Sequence, residues 1–286
     1  MNSVTNAVAN ANLHRIQQVV KWAVYSLLLI NFAFYIHEDW DRAVHTLGAD
    51  ASWVDWAGEF ATSIDEAGWF LLLFMYELET YVLDDETLKG WVAPVLHGVR
   101  IACFVMLAHT VYAYANTALD LRATTPVENA ASLCDLTKQD VTYVYNLNYT
   151  AVNSDNCASL SDASDFFWLG EDPLVTTSAG LALERELAWV DLAEAVIWLL
   201  VIFSIELVVR LQGRGVTGSA VVSTANTAKV LLYLALAGIA IYWATLSHWL
   251  YAWDEFVWIA GFATIEMNVN EWRDDLLDNA AGEAVA

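Results

Sequence analysis

Basic residues are the scarcest class in this chain: twelve Lys and Arg face 35 Asp and Glu, and lysine occurs only at positions 21, 89, 138 and 229. The resulting net charge of −23 leaves no basic footprint for a phosphate backbone, so nucleic-acid binding is excluded. Two explanations of the acidity remain: a solvated surface adapted to salt, or the concentration of cations above a pore mouth. Also missing are a phosphate loop, a nucleophile–base set and a strong metal-ligand motif, so an enzyme is not expected and no cofactor is called for. Segments of about ten residues with alternating polarity are lacking too, which excludes a membrane barrel.

What the chain has instead is hydrocarbon: 58% of its residues are hydrophobic, and mean hydropathy is +0.42. Several apolar runs are long enough for a bilayer of about 30 Å at about 1.5 Å per residue. They predict an all-α integral membrane protein with six transmembrane helices, near 19–36, 66–82, 95–114, 190–211, 228–250 and 254–272. Cytoplasmic ends retain an excess of Lys and Arg. Placing both termini in the cytoplasm puts Arg15, Lys21, Lys89, Arg100, Arg210, Arg214, Lys229 and Arg273 inside, leaving Arg42, Arg122, Lys138 and Arg185 outside. A multi-pass protein of the plasma (inner) membrane follows. The first helix lacks a small-residue cleavage site in Ile36-His37-Glu38-Asp39-Trp40, so it is expected to stay in the mature protein.

The expected organisation is a cytoplasmic segment (1–18), helices one to three (19–117), an extracytoplasmic cap (118–187), helices four to six (188–272) and an acidic cytoplasmic tail (273–286). Cys134 and Cys157 both fall in the cap, where oxidation is permitted, and a disulfide between them is expected. Cys103 lies in the third helix as a small apolar residue. Alternating Val and Tyr at 140–149 read as a strand in one hairpin, and Asn148-Tyr149-Thr150 is a short N-glycan acceptor pattern.

One phrase recurs three times: an acid, three residues, a tryptophan, seven residues, then a glutamate. The copies are Asp65, Trp69 and Glu77; Glu194, Trp198 and Glu206; Asp254, Trp258 and Glu266. Chance gives roughly 0.1 such matches, so internal duplication is indicated. The odd-numbered helices echo one another as a base, three residues, then an aromatic: Lys21 and Tyr25, Arg100 and Phe104, Lys229 and Tyr233. Three two-helix repeats would form a pseudo-threefold bundle with an axial path.

The outer acids Asp65, Glu66, Glu194, Asp254 and Glu255 are expected near headgroups, beside Trp69, Trp198 and Trp258 as interface anchors. Glu77, Glu206 and Glu266 lie deeper, where a carboxylate costs about 2.5–3.5 kcal/mol on insertion scales. Either Lys21, Arg100 and Lys229 pair with them as structural locks, or the three converge as a site for cations or protons. Arg210 and Arg273 are competing partners. His37 and His248, placed at helix ends near Glu38, Asp39, Asp254 and Glu255, are the only weak metal candidates. His109 reads as a hydrogen-bonded core histidine or a proton relay.

The segment Val201-Ile202-Phe203-Ser204-Ile205-Glu206-Leu207-Val208-Val209-Arg210 resembles the second helix of voltage-sensor domains in the voltage-gated cation channels. That resemblance implies a charge-transfer centre built from an aromatic three positions before an acid. Phe74 and Glu77 repeat the spacing, whereas Phe262 is shifted by one. No helix carries arginine at every third position, so voltage sensing is not implied. The three-repeat plan is also similar in outline to the mitochondrial carriers, without their repeated proline: Pro94, Pro126 and Pro173 stand elsewhere. The leading expectation is a cation or proton channel or carrier. Its rival is a structural or assembly subunit of a larger complex, as a homo-oligomer or with partner subunits, embedded in lipid.

Overall fold

The computed structural model describes residues 2–48, 50–78, 90–128, 130–161, 165–170, 173–212, 220–263 and 266, with side chains from 18 onward except at 209 and 212. Lys89, Arg214, Arg273, the side chain of Arg15, the expected ends of the second and sixth helices and the acidic tail lie outside the described residues. The fold is mostly helical: α1 (Asn2–Thr46), α2 (Trp53–Glu59), α3 (Ala61–Glu77), α4 (Val92–Asp120), α5 (Ser178–Gln212), α6 (Ala220–Thr245) and α7 (249–263). Gln18–Thr46, Val92–Asp120, Ser178–Val208 and Ala220–Thr245 are long and apolar enough to cross a membrane. Four such helices are compatible with a multi-pass membrane protein.

The helices outrun the apolar windows that announced them. At about 1.5 Å per residue, the 35 residues of α5 extend about 52 Å, well beyond a hydrocarbon core of about 30 Å. Its first two turns, Ser-Ala-Gly-Leu-Ala-Leu-Glu-Arg, are rich in strong helix formers that a hydropathy window passes over. Helix α1 was expected to stop at Ile36 but continues to Thr46, because Tyr35, Asp39, Ala43 and Thr46 keep a buried stripe at helical spacing. Most of the loop expected over 37–65 is therefore helix.

Two compact units divide the chain, one made of 1–33, 69–103 and 197–286, the other of 34–68 and 104–196. In the first, α6 buries Val222, Ala225, Lys229, Leu236, Ala240 and Trp243, the three- and four-residue alternation of a helix packed along its length. In the second, the cap is a five-stranded sheet instead of the single expected hairpin. Its strands are β1 (Thr125–Pro126), β2 (Thr142–Tyr145), β3 (Asn148–Ala151), β4 (Phe166–Trp168) and β5 (Leu174–Thr177), in the order β1-β4-β5-β2-β3. The hairpin reading survives as β2 and β3, whose turn residues Asn146 and Leu147 both have positive φ, the mirror-image turn that matches strand twist. Leu147 seldom takes that conformation; its N–H donates to the buried Glu184 carboxylate at 3.2 Å, which holds it. Beneath the sheet, Leu133, Leu136, Val141, Val152, Phe166 and Val175 form a core, and the Cys134–Cys157 disulfide closes on its edge.

Candidate functional site: three acid–base pairs and a tryptophan cluster

The chemistry of the first unit starts from residues one helical turn apart. Side chains at i and i+4 project from the same face, so a cation and a tyrosine so spaced can grip both oxygens of one carboxylate. Lys21 Nζ lies 2.6 Å from Glu77 Oε1, while the Tyr25 hydroxyl donates to Oε2 at 3.1 Å. Lys229 Nζ lies 2.8 Å from Glu266 Oε2, and the Tyr233 hydroxyl donates to Oε1 at 2.9 Å. These two sites are copies in chemistry as well as in sequence.

The middle site differs because Phe104, at the corresponding position, has no hydroxyl. Tyr76, one residue before Glu77, supplies it instead, donating to Glu206 Oε1 at 2.8 Å. Arg100 Nη1 stands 3.8 Å from the same oxygen, with its guanidinium over the Tyr76 ring at 5.6 Å. Arg210 Nε donates to the other oxygen at 3.1 Å. Each glutamate therefore meets its own cation at its own helix contact: α1 with α3, α4 with α5, and Lys229 of α6 with Glu266.

Tryptophan departs most from expectation. Trp69, Trp198 and Trp258 are buried, and all three rings surround the fully buried Phe262, at 5.7, 5.2 and 6.1 Å between centroids. Interface anchoring is thus corrected for these three residues. The one-residue shift of Phe262 explains why this phenylalanine, unlike its two counterparts, joins them. At 100° per residue, a position four after its tryptophan lies 40° away and shares its face, whereas Phe74 and Phe203, five after theirs, are turned 140° away. They are 56% and 54% exposed. Trp198 also packs on Trp69 at 5.8 Å and donates its indole N–H to Glu255 at 3.1 Å.

The acids assigned to the headgroup region separate in the structure. Asp254 and Glu255 are buried in α7, with Asn31 Nδ2 donating to Asp254 at 2.6 Å. Glu66 is buried, whereas Asp65 and Glu194 are half-buried. Burial of an acid is tolerable only where polar partners replace water, which Asn31 and Trp198 do.

His37 does not end α1, and His248 sits in the turn between α6 and α7, stacked on Tyr251 at 5.2 Å. Among the described residues no cluster of three His, Cys, Asp or Glu could hold a metal ion. The Asp39 beside His37 is not a solvated helix end either. It is fully buried and accepts from Arg42 Nη2 at 2.8 Å, from Ser63 Oγ at 2.7 Å and from the Ser63 backbone N–H at 2.8 Å. It thereby caps the start of α3 from another helix, satisfying a first-turn N–H that has no partner within α3. His109 Nδ1 is buried and, among the described residues, has no hydrogen-bond partner. Cys103 is free and buried.

No protein-family model matches this chain, nor does any curated protein or solved structure.

Proposed function

We propose that this chain is a multi-pass membrane protein of the structural or assembly kind, in which Glu77, Glu206 and Glu266 hold helices together. The observation that carries this reading is the saturation of each carboxylate by its own base and a tyrosine hydroxyl. Buried charge arranged in separate pairs fixes helix partners and register. The central aromatic packing of Trp69, Trp198, Trp258 and Phe262 supports it further, since a dry cluster fills space that an axial path would use. In this reading α3 and α7 are the fifth and sixth spans, the three pairs are the signature of three repeats, and both termini face the cytoplasm of the plasma (inner) membrane. Its partners are lipid and a second copy or other membrane subunits.

Transport of cations or protons is the second reading. It is favoured by the residual exposure of the Glu77, Glu206 and Glu266 side chains, 14–22%, and by tyrosine hydroxyls placed to relay a proton. One experiment separates the two. The protein is reconstituted in liposomes and assayed for proton and monovalent-cation flux beside Glu77→Gln, Glu206→Gln and Glu266→Gln. The structural reading expects no flux from the parent, lower stability in each variant, and co-purification as an oligomer or with a partner. Flux in the parent that the triple variant abolishes would overturn it.

A further inference from the structure

Helix α2 is seven residues long and buries none of them, although Trp53, Val54, Trp56 and Ala57 make up more than half of it. A helix this short keeps its shape through its ends. Ser52 and Asp55 form a reciprocal capping box, and the hydrogen bonds from Ser52 hold the Asp55 carboxyl below its usual range. At 100° per residue, Trp56, Trp53, Ala57 and Val54 occupy one arc of about 160°, while Asp55 and Glu59 project from the opposite face. Trp53 is 81% exposed, the largest exposure of any tryptophan described.

This apolar face is continuous with a second one. Trp40 of α1 lies 5.7 Å from Trp56, ring to ring, and belongs with Ile36 and Val44, four residues to either side, to an exposed stripe on a helix long and apolar enough to cross a membrane. Only 47–52 separate the end of that segment from α2. Indoles combine a large apolar ring with one N–H donor, the chemistry favoured where acyl chains meet headgroups.

We propose that α2 lies flat in the headgroup–acyl boundary of a phospholipid bilayer, with Trp53, Val54, Trp56 and Trp40 as its lipid contacts. The inference rests on the membrane reading given above. It adds a lipid-binding element that is not a span, and its acidic outward face matches zwitterionic headgroups and disfavours anionic ones.

Depth-dependent quenching tests it. In a Cys103→Ala background, Trp53→Cys carries an environment-sensitive fluorophore, and the full-length protein is reconstituted with phosphatidylcholine brominated either near the carbonyl or near the chain end. Leu234→Cys, on the exposed face of α6, serves as the span control. The label at 53 is expected to be quenched at least twofold more by shallow than by deep bromines, and the label at 234 by deep bromines. Quenching at 234 without quenching at 53 would overturn the inference alone; none at either position would overturn the membrane reading with it. Val54→Cys repeats the measurement should the first variant fail to fold. Cross-linking between copies through position 53, without lipid quenching, would assign the face to a second protomer and overturn the lipid occupant.

Discussion

The two units use the same residue types to opposite ends. In the unit of 1–33, 69–103 and 197–286, the three motif tryptophans, Trp69, Trp198 and Trp258, are packed around Phe262, and each deep glutamate is met by a base and a tyrosine. In the unit of 34–68 and 104–196, Trp40, Trp53 and Trp56 are exposed, order in the cap comes from a sheet and a disulfide, and the buried Asp39 caps a helix. Neither tryptophan nor acid has a fixed role in this chain. What decides is which distant segments the fold brings against the residue.

The sharpest break of that comparison removes a cation. Lys21→Met leaves Glu77 in low dielectric without its base and is expected to cost about 3–5 kcal/mol, read as a lower melting temperature; Glu77→Gln in the same chain restores most of it. Arg100→Met is expected to cost less than Lys21→Met, because Glu206 keeps Arg210 and Tyr76. A melt in which Arg100→Met is the more damaging would show that the middle site is not built as described.

Truncating an aromatic in each unit comes next. Trp198→Ala removes a buried ring and is expected to cost about 3–5 kcal/mol, whereas Trp53→Ala stays within about 0.5 kcal/mol in detergent. Chemical denaturation of the pair checks the contrast; equal losses would abolish it.

Removing the disulfide with Cys134→Ser and Cys157→Ser frees a segment 23 residues long in sequence separation and is expected to cost about 3 kcal/mol. Hydrogen exchange is expected to accelerate in the cap amides and to leave those around Lys229 unchanged. Tyr25→Phe and Tyr233→Phe each remove a hydrogen bond to a charged group, about 1.5–3 kcal/mol, and Tyr76→Phe is expected to match them if it replaces the hydroxyl missing at Phe104. Thermal melts of the three variants give the comparison.

The smallest effect is acid titration of α2. The folded-state pKa of Asp55 is lowered by Ser52, so its stabilisation is present above the ordinary carboxylate range and is lost as pH falls through the lowered value. Amide NMR of α2 during acidification follows the fraying, which Asp55→Asn abolishes.

Legibility varied by element for physical reasons. The apolar runs were readable because the cost of hydrocarbon acts residue by residue, and Cys134 and Cys157 because both fell in one polar segment. The far ends of α1 and α5 were not, since Asp39 and Glu184 occupy buried positions and interrupt the apolar pattern there. The sheet escaped because its strands are two to four residues long, and β2 lies beside β5 only after a detour through β3 and β4. The shift of Phe262 was visible in the sequence, yet its meaning as the centre of a cluster was not. Tyr76 was signalled only by standing next to Glu77.

Composition and spacing alone determined that this chain has helices suited to a bilayer, a strongly acidic charge balance and bases placed one turn from an aromatic. These are local properties, set by transfer free energies and by 100° per residue. Tertiary structure decided which partner each acid meets, that the motif tryptophans face inward, and that Asp39 caps a helix other than its own. Those outcomes depend on the approach of segments far apart in the chain, where burial is tolerated only if every charge and N–H finds a partner.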